Sequence, residues 1–234
     1  MHYIPIALPF FLAFVLFLAC LIAFIKIGIL QYAYERMGVD RRYIFTLLIF
    51  SLLGSYFNIP VAELPAERVY SGEVITFFGM QYVIPLMINW PRTVIAVNIG
   101  GAVIPVILSI YLMVKNRQYG NSLVAVSLVT FIVHLLAYPV EGLGIAVPTL
   151  IPPLASASVA LLISRKHAAP LAYIAGSLGT LIGADLLNLN RIRGLGAPIA
   201  SIGGAGTFDG IFLTGILAVL LASLINEKQD TSSK

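Results

Sequence analysis

Apolar residues in this chain come in long blocks separated by short polar breaks. A helix that crosses a bilayer needs roughly 20 largely apolar residues. Seven stretches, some short or broken, meet that demand, near 4–30, 43–59, 93–114, 122–139, 143–164, 169–189 and 207–226. The pattern predicts an all-α polytopic membrane protein with about seven transmembrane helices. The first block has no basic start and no small-x-small site ahead of Tyr32, so it is expected to stay as a span rather than be cleaved. Residues 58–92 break the pattern as a long loop carrying Glu63, Glu67, Arg68 and Glu73. Within it, 73–85 is rich in β-branched and aromatic residues around Gly79, which predicts a short β-hairpin. That hairpin reads either as an interfacial aromatic cap with Trp90 as anchor, or as a gate over a substrate path.

Composition narrows the class. Hydrophobic residues make up 59% of the 234 positions and charged residues 10%, against about 25% charge in soluble domains. An ordinary cytosolic enzyme, a disordered tail and a free-standing nucleic-acid binder are thereby excluded, and the lipid bilayer is the expected partner. Cys20 is the single cysteine, so an internal disulfide and a multi-cysteine metal site are both ruled out. No cofactor or metal is expected.

Basic residues set an orientation. With the 31–42 loop inside, Lys26, Arg36, Arg41, Arg42, Lys115, Arg117, Arg165, Lys166, Lys228 and Lys234 lie on the inner side. Arg68, Arg92, Arg191 and Arg193 lie outside. Ten against four predicts the N-terminus outside and the C-terminus inside, in a multi-pass protein of the cell membrane. The chain then reads as one transmembrane domain over 1–226, with the outer loop at 58–92 and a flexible cytoplasmic tail at 227–234.

Two pairs of segments echo each other: Leu53-Gly54-Ser55-Tyr56 with Ile182-Gly183-Ala184-Asp185, and Ile99-Gly100-Gly101-Ala102 with Ile202-Gly203-Gly204-Ala205. Each pair keeps its direction across the membrane. The seven spans therefore admit a parallel 3+1+3 repeat of a kind found in transporters.

Ionisable groups within spans are costly and mark functional sites by default. Outside the loops and tail they are few: His134 in the fourth span, Asp185 in the sixth and Asp209 at the head of the seventh. Asp185 stands about four residues from the outer end of its span, roughly 6 Å in depth. Asp209, His134, the neighbouring Glu141, and Asn98, Asn188 and Asn58 fall at the same outer level. Each has a plainer role open to it. Asp209 follows Gly203-Gly204-Ala205-Gly206-Thr207-Phe208, where Thr207 suits an N-cap and a first-turn carboxylate favours the helix dipole. Asp185 can pair with Arg191 or Arg193, His134 can be a packing residue, and Glu141 can be a solvated turn residue. Gly204 and Gly206 supply backbone N–H groups of the sort that form anion nests. In the sixth span Ala172, Gly176, Thr180 and Ala184 form a small-residue stripe that lets helices approach closely. Pro148, Pro152 and Pro153 interrupt the fifth span, as backbone does where it lines a cavity.

Two carboxylates held within a few ångströms share a proton, the arrangement with which aspartic proteases activate water. The stretch from Asp209 through Ala218, preceded by Gly206-Thr207-Phe208, resembles the second catalytic-aspartate helix of presenilin and signal-peptide-peptidase proteins. That resemblance implies an intramembrane aspartyl protease-like hydrolase with Asp185 and Asp209 as its dyad. Over most of its length the chain also resembles a family of uncharacterised prokaryotic integral membrane proteins, domain of unknown function 1614. The residues that carry this are Leu53-Gly54-Ser55 with Asn58-Ile59-Pro60, Asn98-Ile99-Gly100-Gly101-Ala102, Pro139-Val140-Glu141-Gly142, and Gly203 through Gly210.

Three functions stay open. The first is the protease-like hydrolase acting on a membrane peptide. The second is a proton- or cation-coupled transporter or channel for a small solute or ion, with Asp185, Asp209, His134, Asn98, Asn188, Glu141, Gly204 and Gly206 around its site. The third is a non-catalytic scaffold in which every polar residue caps or pairs. The oligomeric state has no sequence signature here.

Overall fold

The structure is a computed structural model that describes residues 28–65, 67–77, 80–90, 92–140, 144–192, 199–204 and 210–232, with Leu16, Phe17 and Ala19. Seven α-helices stand among the described residues: α1 Ile29–Met37, α2 Arg41–Gly54, α3 Ile104–Asn116, α4 Tyr119–Leu136, α5 Ile151–Ile163, α6 Ala168–Thr180 and α7 Gly210–Ser232. Seven strands accompany them: β1 Asn58–Leu64, β2 Glu67–Phe77, β3 Met80–Trp90, β4 Thr93–Asn98, β5 Tyr138–Val140, β6 Gly144–Ala146 and β7 Ile199–Ile202. The fold is mostly helical with small sheets at one end.

Three helical runs are long and apolar enough to cross a bilayer: Ile99–Asn116, Tyr119–Leu136 and Ala168–Arg191. The apolar runs Arg42–Gly54, Ile151–Ile163 and Gly210–Asn226 are shorter. Burial separates the roles of these helices. Almost every residue of α6 is buried, enclosed by α1, α3, α4, α5 and α7. By contrast α4 turns Leu123, Leu128, Phe131 and Leu135 outward. Phe45, Phe50, Ile107 and Leu162 do the same on α2, α3 and α5. A soluble monomer does not carry an apolar belt of this extent, and with the three long helices it makes this a membrane protein.

Small residues make the interior. Ala125, Ala157, Ala160, Ala172, Ala175, Ala218 and Ala222 fill the seam of α4, α5, α6 and α7. On the opposite side of α6, Tyr34, Met37, Leu48, Leu112, Tyr173 and Val219 pack together. The small-residue stripe of α6 works as expected: Gly176 lies against Ser156 and Thr214, and a Cβ at Gly215 would stand 2.7 Å from Ser177 Oγ.

Two expected spans begin with strands. Residues 93–98 are β4, and only from Ile99 does the chain become helical. Thr93-Val94-Ile95-Ala96-Val97 is a β-branched run that hydropathy alone cannot separate from the apolar helix after it. Residues 144–146 are likewise β6. Pro152 and Pro153 lie in the first turn of α5, where missing N–H groups cost nothing, so they start a helix rather than break one. The hairpin is present as β2–β3, antiparallel from Glu67↔Trp90 to Phe77↔Met80, and longer than its expected extent. Helix α7 continues to Ser232, into the segment read from sequence as a tail.

A three-stranded sheet, β1–β4–β7, caps one end of the helices. β1 runs antiparallel to β4, with Asn58 opposite Asn98, and β7 runs parallel to β4, with Ile202 opposite Val97. At the other end the helix turns meet. Lys115 Nζ donates to Gly38 O, Gln118 lies beside His167 at 3.4 Å, and Asn226 donates to Arg165 O at 3.2 Å. Arg36, Arg42, Arg117 and Lys166 belong to the turns and helix ends gathered there, whereas Arg92 and Arg191 belong to the sheet end.

Candidate functional site

Two strands of the sheet lead to adjacent glycines, and the two junctions differ. After β4 the chain winds through a π-helical turn, Ile99–Val103, before α3. Asn98 caps it: Gly101 N–H donates to Asn98 Oδ1 at 2.8 Å. Its amide Nδ2 donates to Ser55 O at 2.7 Å and Asn58 Oδ1 at 3.1 Å. Asn98 is fully buried, and both its donors and its carbonyl are engaged in holding β1, the end of α2 and the start of the π turn together. Gly100 is required here because a Cβ would stand 2.0 Å from Ser51 O. Ser51 Oγ adds a bond to Gly100 O at 3.1 Å.

The second junction follows β7. Gly203 and Gly204 both have φ of +96°, a left-handed conformation that L side chains rarely adopt. A Cβ at Gly203 would also strike Ala102 N at 2.6 Å. Gly203 N–H donates to Asp185 Oδ2 at 2.7 Å. The anion that takes this glycine N–H is therefore the chain's own carboxylate, and Gly203 rather than Arg191 is its described partner. Ser201 Oγ lies 2.7 Å from Asn58 Oδ1 and 2.6 Å from Gly204 O, linking this turn to the first junction.

Asp185 stands where a helix fails. α6 runs into a π-helical turn, Leu181–Asp185, and then a 3₁₀ turn, Leu186–Arg191. Gly183 lets the π turn lie close against α4, since a Cβ there would stand 2.6 Å from Thr130 O. π turns inside helices recur at functional sites because they shift the backbone register and free carbonyl groups. Asn188 is buried just beyond, its Nδ2 donating to Gly183 O at 2.8 Å and Ala184 O at 3.0 Å. Its Oδ1 has no hydrogen-bond partner among the described residues.

Two cavities meet at this point. One, of about 110 Å³, is lined by Asp185, Ser201 and Gly204 with Ile192 and Ile199. The other, of about 230 Å³, is lined by Asp185, Thr149, Thr180, Thr214, Gly204 and Gly210 with apolar walls. Asp185, Gly204 and Ile145 belong to both. Thr180 Oγ1 is buried without a hydrogen-bond partner among the described residues. This surface offers one carboxylate, three threonines, one serine and a largely apolar wall, which suits a proton, a small cation or a small polar solute. Among the described residues no group of three or more His, Cys, Asp or Glu could hold a metal ion.

Of the residues singled out from sequence, Asp185 and Gly204 share the cavities. Asn188 lies directly behind Asp185, against the carbonyls of the π turn. His134 is half-buried on α4, one turn beyond Thr130, and its Nδ1 is without a described hydrogen-bond partner. Asn98 serves the other junction. Asp209, Glu141 and Gly206 lie outside the described residues. Thr149 and Thr214 have no sequence signal of their own, and Thr180 falls within the small-residue packing stripe. A threonine in an apolar block carries no charge, so hydropathy does not set it apart.

The fold and the site thus define a class: a helical membrane protein with a capping sheet and a carboxylate at a helix break. The chain matches the family of proteins of unknown function DUF1614 over residues 52–221 and belongs to that family. The match takes in both strand–glycine junctions and Asp185. No curated protein and no solved structure matches the chain.

Proposed function

We propose that this protein is a proton- or cation-coupled transporter or channel for a small solute, with Asp185 as the group that takes up and releases the ion. The observation that carries this reading is that Asp185 lines two adjoining cavities at a break in the most buried helix. Transporters place substrate and ion sites at discontinuous helices, where unwound backbone and a carboxylate together replace the ion's water. Thr180, Thr214 and Thr149 supply neutral oxygen ligands on the larger cavity, and Asn188 steadies the π turn behind the carboxylate.

The repeat fits this reading. β4 and β7 are parallel neighbours, each followed by paired glycines and then by an apolar helix, as expected if two halves arose by duplication. We place the sheet end outside and the basic end inside, with about seven spans, the N-terminus outside and the cell membrane as the location. The sorting of basic residues supports that orientation.

A second reading keeps one supporting observation. Gly204 and Gly210, which bracket residues 205–209, line the same cavity as Asp185. An intramembrane aspartyl protease-like hydrolase would use Asp185 with Asp209. Purified protein in proteoliposomes, with Asp185→Asn and Asp209→Asn variants, separates the two readings. Ion or solute flux that is lost in Asp185→Asn supports transport. Cleavage of a membrane peptide lost in both variants, with no flux in the native protein, would replace transport by the hydrolase.

A further inference from the structure

Between α2 and α3 lies a second, chemically different space that Asp185 does not line. Helix α2 meets the π turn that leads into α3, where Gly54 lies against the backbone of Gly100: a Cβ on Gly54 would stand 2.9 Å from Gly100 N. Away from this contact the two helices enclose a cleft of about 610 Å³. Its walls are Leu47 and Phe50 of α2 and Ile104, Ile107 and Leu108 of α3, and Ile99 lies at the glycine end. Phe50 and Ile107 are more than 60% exposed, so the cleft opens sideways onto the surface that faces lipid. From Ile99 to Tyr111 it extends roughly 18 Å along α3, slightly more than one leaflet of a hydrocarbon core about 30 Å thick.

The two ends of the cleft differ in polarity. Asp40, Tyr43 and Tyr111 border the end away from the glycines. Lys115 Nζ stands there, 5.4 Å from the centre of the Tyr111 ring, and donates one of its protons to Gly38 O. Arg42 is exposed beside Tyr43, and the Asp40 carboxylate is occupied as the cap of α2, accepting from Arg42 N at 3.1 Å. Arg36 and Arg117 are exposed on neighbouring turns, against Glu35 and Asp40 as the acidic groups, so this end is net basic.

We propose that the α2–α3 cleft is a binding site for one anionic phospholipid, with an acyl chain along Leu47, Phe50 and Ile107 and the phosphodiester on Lys115 and Arg42. Length, apolar wall and basic mouth correspond to the two parts of such a lipid in the correct order. Basic groups near a membrane surface favour anionic lipid by about fivefold each, which sets the size of the preference. This site is independent of the Asp185 reading.

The full chain, purified in detergent and titrated with phosphatidylglycerol or phosphatidylcholine while bound lipid is counted by native mass spectrometry, tests the proposal. One phosphatidylglycerol is expected to bind at least fivefold more tightly than phosphatidylcholine. Ile107→Trp, which sets a bulky ring in the acyl path midway along the cleft, should weaken that tight site at least fivefold, whereas Leu123→Trp on the outward face of α4 should leave it. Arg42→Gln should lower the preference about fivefold and retain the chain's fold, as the Asp40 cap bonds to its backbone. Equal affinity for both lipids overturns the proposal, as does tight binding that survives Ile107→Trp. A mass corresponding to a dimer that Ile107→Trp disrupts would overturn it too, by assigning the cleft to a second copy.

Discussion

The junctions at Asn98 and at Gly203 are built from the same parts and put to different uses. Each takes a strand of one sheet past two glycines and toward an apolar helix, and the strands are parallel neighbours. At the first, a neutral amide bonds Ser55 O, Asn58 Oδ1 and Gly101 N–H, and the backbone closes on itself through Gly54, Gly100 and Ser51. At the second, a carboxylate from a broken helix takes a glycine N–H, and two cavities remain beside it. A residue that only needs to hold a membrane fold together is best neutral, because an ion there must be desolvated. A charge at the equivalent place is expensive, so its presence at Asp185 asks for a use.

If that contrast holds, substitutions at the first junction should damage stability and those at the second should damage function. Gly100→Ala should have the largest structural effect. Its Cβ would overlap Ser51 O, and forced overpacking of this kind costs about 3 kcal/mol or more. Thermal unfolding in detergent should show a large fall in Tm or no folded protein at all. Asn98→Ala comes next, removing the bonds to Gly101 N–H and Ser55 O, while Asn58 Oδ1 keeps Ser201 Oγ. A cost of about 1–3 kcal/mol is expected, with flux per folded molecule unchanged. Thr180→Val should have the smallest effect on stability, within about 0.5 kcal/mol, because its hydroxyl has no described partner to lose. It should nevertheless weaken solute-dependent flux severalfold. A large stability loss in Thr180→Val with normal flux would move Thr180 to the structural side of the comparison.

The sequence exposed the helical blocks, the β2–β3 hairpin and Asp185 as a candidate, since a carboxylate in an apolar block is a strong signal. It hid the sheet that positions the site. Thr93-Val94-Ile95-Ala96-Val97 is equally apolar as strand or span, and only pairing with β1 and β7 decides it. Pro152 and Pro153 could be read as a break because proline forbids a helix interior and favours a first turn, and sequence alone does not say which. The π turn at 181–185 has no signature in the sequence beyond Gly183, whose lack of a side chain lets it lie against Thr130 of α4. Asn98 and Asp185 fall at one depth along the linear chain, but the sheet sends them to separate junctions.

The most direct measurement sets Asp185→Asn beside Asn98→Ala in proteoliposomes, reading flux and Tm for each. In Asp185→Asn the amide oxygen still accepts from Gly203 N–H, so Tm should stay close to that of the native protein while coupled flux is lost. Asn98→Ala should show the reverse, a lowered Tm with flux retained per folded molecule. Native-level flux in a well-folded Asp185→Asn protein would contradict the account, leaving Asp185 as a structural counterpart of Asn98.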